Sequence, residues 1–105
     1  MSTPRLPLNL TAQARKDFKQ ILNFTRKTWG IDQRDRYKAL LDAALQAIAS
    51  NPEVGKRRDE VRFGYYSYHV GSRGRHYIFY CLFEDRIEVV RILHDSMDLE
   101  QHLPH

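Results

Sequence analysis

At 105 residues the chain has room for one hydrophobic core, which predicts a single domain over residues 1–105. Its 42% hydrophobic and 29% charged residues exclude an intrinsically disordered chain. A formal charge of +4 favours acidic partners without choosing among nucleic acid, peptide and protein surface.

Leu6, Leu8 and Leu10 alternate around Pro7, which predicts a short first strand at a sheet edge, since proline gives no ladder donor. Thr11 then reads as a helix N-cap. Ala14, Phe18, Ile21, Leu22 and Thr25 recur at three- and four-residue steps and form one stripe of a helix. Trp29 continues that stripe and Gly30 stops the helix. Asp32, with Asp35 three residues on, predicts the cap of a second helix, striped by Tyr37, Leu40, Leu41, Ala44, Leu45 and Ile48 and ended by Asn51-Pro52. So short a connection makes the two helices antiparallel neighbours.

From Val61 the period changes. "VRFGYYSYHV", "RHYIFYCLF" and "RIEVVRILH" are rich in aromatic and β-branched residues and are separated by the turns "GSRG" and Glu84-Asp85. They predict a three-stranded antiparallel meander. Gly64 suggests a bulge in its first strand. Tyr77 to Phe83 is apolar on both faces and so predicts a central strand covered on both sides. Asp95 or Ser96 caps a last helical turn running to Leu103. Helices segregated from an antiparallel sheet make an α+β domain.

The single cysteine, Cys81, falls in the dry centre of that sheet and reads as a buried, unreactive thiol of a reducing compartment. The N-terminus lacks a signal-peptide stretch, and no apolar run approaches the ~20 residues of a membrane span. Together these predict a cytoplasmic protein with no membrane partner. The histidines lack metal-ligand spacing, and no phosphate loop or GxSxG elbow is present, so neither a metal nor a cofactor is expected. A basic and aromatic surface is the remaining candidate. Lys56-Arg57-Arg58 precedes the sheet, arginines from Arg62 to Arg91 punctuate it, and tyrosines interleave. Such a surface suits phosphate and unpaired bases. On composition alone, amphipathic sheet tyrosines and solvated arginines explain it better. Arg91 stands apart. It interrupts "IEVVRIL" with Val89 and Leu93 on its own face, and a charge there needs an acceptor. Two readings stay open: a pair with an acid of the helices, or a groove filled by an acidic partner.

The ending "VVRILHDSMDLEQHL" and the opening "LNLTAQARKDFKQILNFTRKTWG" resemble the ParE branch of the RelE/ParE toxins of bacterial toxin–antitoxin systems. The likeness runs from about Leu8 to Leu103. It is carried by Arg91-Ile92-Leu93-His94, Met97-Asp98 and His102-Leu103 at one end, and by the strand and first helix at the other. The resemblance implies the α+β fold derived above and a non-enzymatic toxin. Such a toxin stalls DNA gyrase, blocks replication, binds no specific DNA sequence itself and is neutralised by a ParD-like antitoxin. RelE-type relatives instead cleave messenger RNA on the ribosome, an alternative that would rest here on Arg62, Arg91 and His94. The acids Asp95, Asp98 and Glu100 disfavour it, because they would repel a scissile phosphate. A binding module without toxicity is the third reading.

For the toxin, the tail is expected to act in docking. Met97, Leu99 and Leu103 seat it on the sheet, while His94, Asp98 and His102 face outward to gyrase or antitoxin. The groove between helix pair and sheet is expected to be apolar with a basic rim. There Arg62, Arg73 and Arg91 would meet acids of the antitoxin.

Overall fold

The computed structural model describes residues 6–72 and 74–103. Strand β1 (Leu8–Leu10) leads into helices α1 (Ala12–Trp29) and α2 (Ile31–Ser50). Strands β2 (Lys56–Arg57), β3 (Tyr65–His69), β4 (His76–Leu82) and β5 (Ile87–His94) follow, and the short helix α3 (Leu99–His102) closes the chain. Both long helices pack on one sheet of order β1-β5-β4-β3-β2, so the fold is α+β as expected.

Thr11 caps α1 as expected, its hydroxyl accepting the Ala14 amide at 3.1 Å. The link to α2 is shorter than predicted. Gly30, at φ 95°, ends one helix and starts the next by itself. Its amide bonds the Arg26 carbonyl and its carbonyl accepts from Arg34, so backbone does the capping. Asp32 therefore lies inside the first turn, where it complements the helix dipole, and Asp35 pairs with Arg34 rather than closing a capping box. The corner also leaves Trp29 outside the stripe it was expected to continue, 71% exposed.

The meander is present but enlarged. β1 is an edge strand, as Pro7 suggests, and it pairs parallel to β5, which makes the sheet mixed. Lys56–Arg57, read from sequence as loop, pairs with β3. Val61 to Gly64 lies outside β3, and Gly64, at φ 85°, is a turn residue rather than a bulge. The bulge sits instead in the β4–β5 pair. Phe79 faces Arg91 and Tyr80 faces Val89, which leaves Val90 over. This extra residue resets the alternation. Ile87 and Val89 before it and Ile92 after it all join the helix-side core, while Leu93 packs on the opposite face. Val89 is therefore not on the face of Leu93, contrary to the simple alternation of the sequence.

β4 is central and buried on both faces, as predicted. Ile78 and Tyr80 meet Leu41, Ala44 and Ile48 from α2; Phe79 meets Leu93 and Leu103 below the sheet. Cys81, nearer the end of β4, is only half-buried; burial still pushes its thiol up to about 11. The Tyr80 hydroxyl donates to the Pro52 carbonyl at 2.7 Å and accepts the Gly55 amide at 3.0 Å, which ties the α2–β2 loop to the core. Tyr80→Phe leaves both loop groups without that partner and should cost about 2 kcal/mol in chemical denaturation.

Candidate functional site

His94, Met97 and Asp98 lie at one end of the sheet, whereas Arg62 precedes Tyr65, which pairs with Cys81 toward the other end. The geometry starts at the edge of β5. Pairing with β1 stops at Val89. Beyond it the start of α1 covers the edge. The Thr11 amide bonds the Val89 carbonyl at 3.0 Å, and its hydroxyl donates to Val90 at 2.9 Å. Nearly two helical turns further, Asp17 takes over. Its Oδ2 accepts the Ile92 amide at 3.0 Å and Arg91 Nε at 2.7 Å, and its Oδ1 accepts Arg91 Nη2 at 3.0 Å. The two side chains are 6% and 16% exposed, a buried bidentate pair.

Arg91 thus has its acceptor on a helix, and the reading of it as a free groove residue is overturned. The same guanidinium donates through Nη1 to the His102 carbonyl at 3.0 Å. One side chain therefore joins α1, β5 and α3. Below the sheet Leu103, 3% exposed, packs with Phe79 and Leu93, and Leu99 packs beside it. These two residues seat the tail as expected. Met97 does not: it is 42% exposed. Asp98 is exposed directly before α3, and the His102 ring is half-buried. Asp95 and Ser96 do not cap the last helix, which begins only at Leu99. Asp95 pairs with Arg75 at 3.2 Å, and Ser96 Oγ lies 2.7 Å from His94 Nδ1.

The helices sit directly on the sheet, so the expected groove between them is filled by core. An open groove of about 410 Å³ lies instead between α1 and the end of β5. Asp17 and Ile92 line it, with Phe24, His76, His94 and Met97. Its rim is histidine and exposed apolar side chain rather than arginine, and Phe24 is 66% exposed. A smaller hollow beside it adds Trp29, Tyr37 and Arg75.

No local pattern in the sequence marks the polar cluster at this end. Tyr37, from the second stripe, places its hydroxyl 2.6 Å from His76 Nδ1. The His76 and His94 rings meet edge-on at 5.2 Å, because the two residues pair across β4 and β5. Burial, and then the neighbouring His94, push the His76 imidazole down to about 4. The Tyr37 hydroxyl and His76 Nδ1 share one hydrogen bond, and burial raises the Tyr37 phenol. The Ser96 amide donates to His94 Nδ1 at 3.1 Å. The pH consequence has a definite sign. Between about 6.5 and 4 the unfolded chain takes up a proton at this histidine and the native chain does not, so stability falls as pH is lowered through that window. His76→Gln should flatten that part of a plot of Tm against pH.

The expected nuclease residues are not assembled. Arg62 Nη1 donates to the Val61 carbonyl, Arg91 is held by Asp17, and His94 Nδ1 lies against Ser96 Oγ. Arg73 lies outside the described residues. Most of the basic surface is also neutralised: Arg57 pairs with Asp59, Arg58 with Glu60 and Arg86 with Asp85.

Comparison with known proteins adds the family. The family described as "ParE toxin of type II toxin-antitoxin system, parDE" matches residues 8–99. The chain is 37% identical to Toxin ParE1 of Mycobacterium tuberculosis over 95 residues, covering 90% of this chain and 94% of that one. Its fold is similar to a chain of the chromosomal ParDE TA system from P. aeruginosa, with a TM-score of 0.75 at 14% identity over 86% of this chain and 96% of that one. It is also similar to the YoeB dimer from Staphylococcus aureus, with a TM-score of 0.57 at 18% identity over 84% and 94% of the two chains.

Proposed function

Because the chain belongs to the ParE toxin family of type II toxin–antitoxin systems, we propose that it inhibits DNA gyrase, blocks replication and is neutralised by a ParD-like antitoxin. On this reading it acts in the cytoplasm by docking, without making or breaking a bond. No helix of the described residues is long and apolar enough to cross a membrane. The observation that favours docking over RNA cleavage is the state of Arg91. Its guanidinium is bonded to Asp17 and His102, so it is not available to stabilise a phosphorane. Phe24, His94 and Met97 around the groove offer what a docked partner needs: apolar anchors beside oriented polar groups. Asp98 follows Met97 on the exposed start of the tail.

Supercoiling by purified gyrase, run beside translation-dependent cleavage of a transcript, tests the proposal. Inhibited supercoiling with intact RNA is the expected result. Cut RNA with normal supercoiling would replace it with the endoribonuclease, in which the His76–His94 pair supplies groups able to move a proton. Silence in both assays would leave a binding module.

A further inference from the structure

The net positive charge of this protein equals that of one helix. The chain has 17 lysines and arginines against 13 aspartates and glutamates. α1 holds five of those cations (Arg15, Lys16, Lys19, Arg26 and Lys27) and one of those acids, Asp17. The rest of the chain therefore carries twelve of each, and the whole excess of +4 belongs to α1. Asp17 is buried and given over to Arg91, so it offsets none of the charge on the outer face.

The five cations are all exposed, and none has an ion-pair partner among the described residues. Asp42 of α2, across the hollow beside Arg15 and Lys19, is bonded to Lys38 instead. At about 100° per residue the five fall within an arc of roughly 120°, and from Arg15 to Lys27 they span about 18 Å. Ala12 and Asn23 complete the arc, and Gln20 and Gln13 border it. A face of like charges this dense destabilises its own helix and calls for a polyanion.

The composition of the arc chooses the polyanion. A docked protein needs apolar or aromatic anchors, and protein interfaces are depleted of lysine. The arc itself carries no apolar anchor, the nearest being the partly buried Leu10, Phe18 and Leu45 in the hollow at its edge, and its polar groups are guanidinium, ammonium and amide donors, which bind phosphate oxygens. We infer that the outer face of α1 binds the phosphodiester backbone of duplex DNA, without sequence preference, as a surface separate from the groove. Duplex DNA presents one charge per about 1.7 Å of axis, so an 18-Å row of cations lies against several phosphates at once.

Fluorescence anisotropy of the purified full chain with a labelled mixed-sequence duplex of about 20 base pairs tests this directly. Binding is expected with a Kd on the order of 10 µM in 50 mM salt, weakening roughly 100-fold by 200 mM, as for about four neutralised phosphates. The triple variant R15Q/K19Q/R26Q should weaken binding at low salt by at least ~30-fold and reduce the slope of log K against log salt by about 3. K56Q, which removes an exposed lysine of β2, should behave as wild type. Circular dichroism checks that each variant is folded, and single R15Q and R26Q variants, each lowering the slope by about 1, serve if the triple does not fold. No binding in 50 mM salt would overturn the proposal, as would a triple variant with an unchanged slope. Displacement of the duplex by poly-glutamate at a lower charge concentration than by unlabelled duplex would also overturn it, in favour of an acidic protein partner. No gyrase is present, so failure here leaves the proposed target standing, and failure of the supercoiling assay leaves this surface standing.

Discussion

Asp17→Asn should lower the unfolding free energy by about 3–5 kcal/mol, the loss expected when one member of a buried ion pair is removed. The asparagine keeps the shape and one acceptor oxygen. It cannot accept Arg91 Nε, Arg91 Nη2 and the Ile92 amide together as a charged acceptor does, and the guanidinium loses its counter-charge where little water reaches it. Arg91→Met should cost less. It leaves the carboxylate bonded to the Ile92 amide, although the His102 carbonyl loses its donor. The double variant D17L/R91M should be more stable than D17N, because paired buried charges are often replaced by apolar groups at little net cost. Urea denaturation at constant m checks all three. A loss under ~1 kcal/mol for Asp17→Asn would mean that the pair behaves as an exposed one.

Leu103→Ala is the second large effect, expected at about 2–5 kcal/mol because the cavity opens between Phe79 and Leu93 under the central strand. Met97→Ala, six residues earlier, should change stability by less than ~0.5 kcal/mol, since the side chain is exposed. On the docking proposal the two variants separate cleanly. Met97→Ala stays folded and inhibits supercoiling less, whereas Leu103→Ala fails by unfolding. If Met97→Ala inhibits as well as wild type, Met97 leaves the docking surface and the tail is core alone. The division runs within a few residues: the end of the tail supports the sheet, and its start faces the groove.

The helices and the central strand were legible because their signals are local. Stripes such as Ala14, Phe18 and Ile21 report the helical period, and apolar residues on both faces of β4 report cover from two sides. The parallel pairing of β1 was not legible. Three alternating leucines announce a strand but do not name its neighbour. The bulge was hidden because Val89-Val90 are both apolar, and alternation gives no mark where a residue is skipped; Gly64, which carries the usual mark, serves a turn. The requirement that Arg91 find an acid was readable from the strand, but which acid was not. Asp17 stands among cations and reads as one more surface charge, and its partner is 74 positions away in sequence. Separation in sequence also concealed the cluster of Tyr37 and His76, 39 positions apart.

The pairing of β1 with β5 joins the first strand to the last, and this orders events during synthesis. A ribosome adding about 5–20 residues per second takes roughly 4–17 s to pass from β1 to the end of β5. Through that interval the helical hairpin exists without the strand that completes its floor, and Asp17 waits for an arginine not yet made. The core is complete only once β5 has been made, so whatever this protein does in its native fold begins after that point.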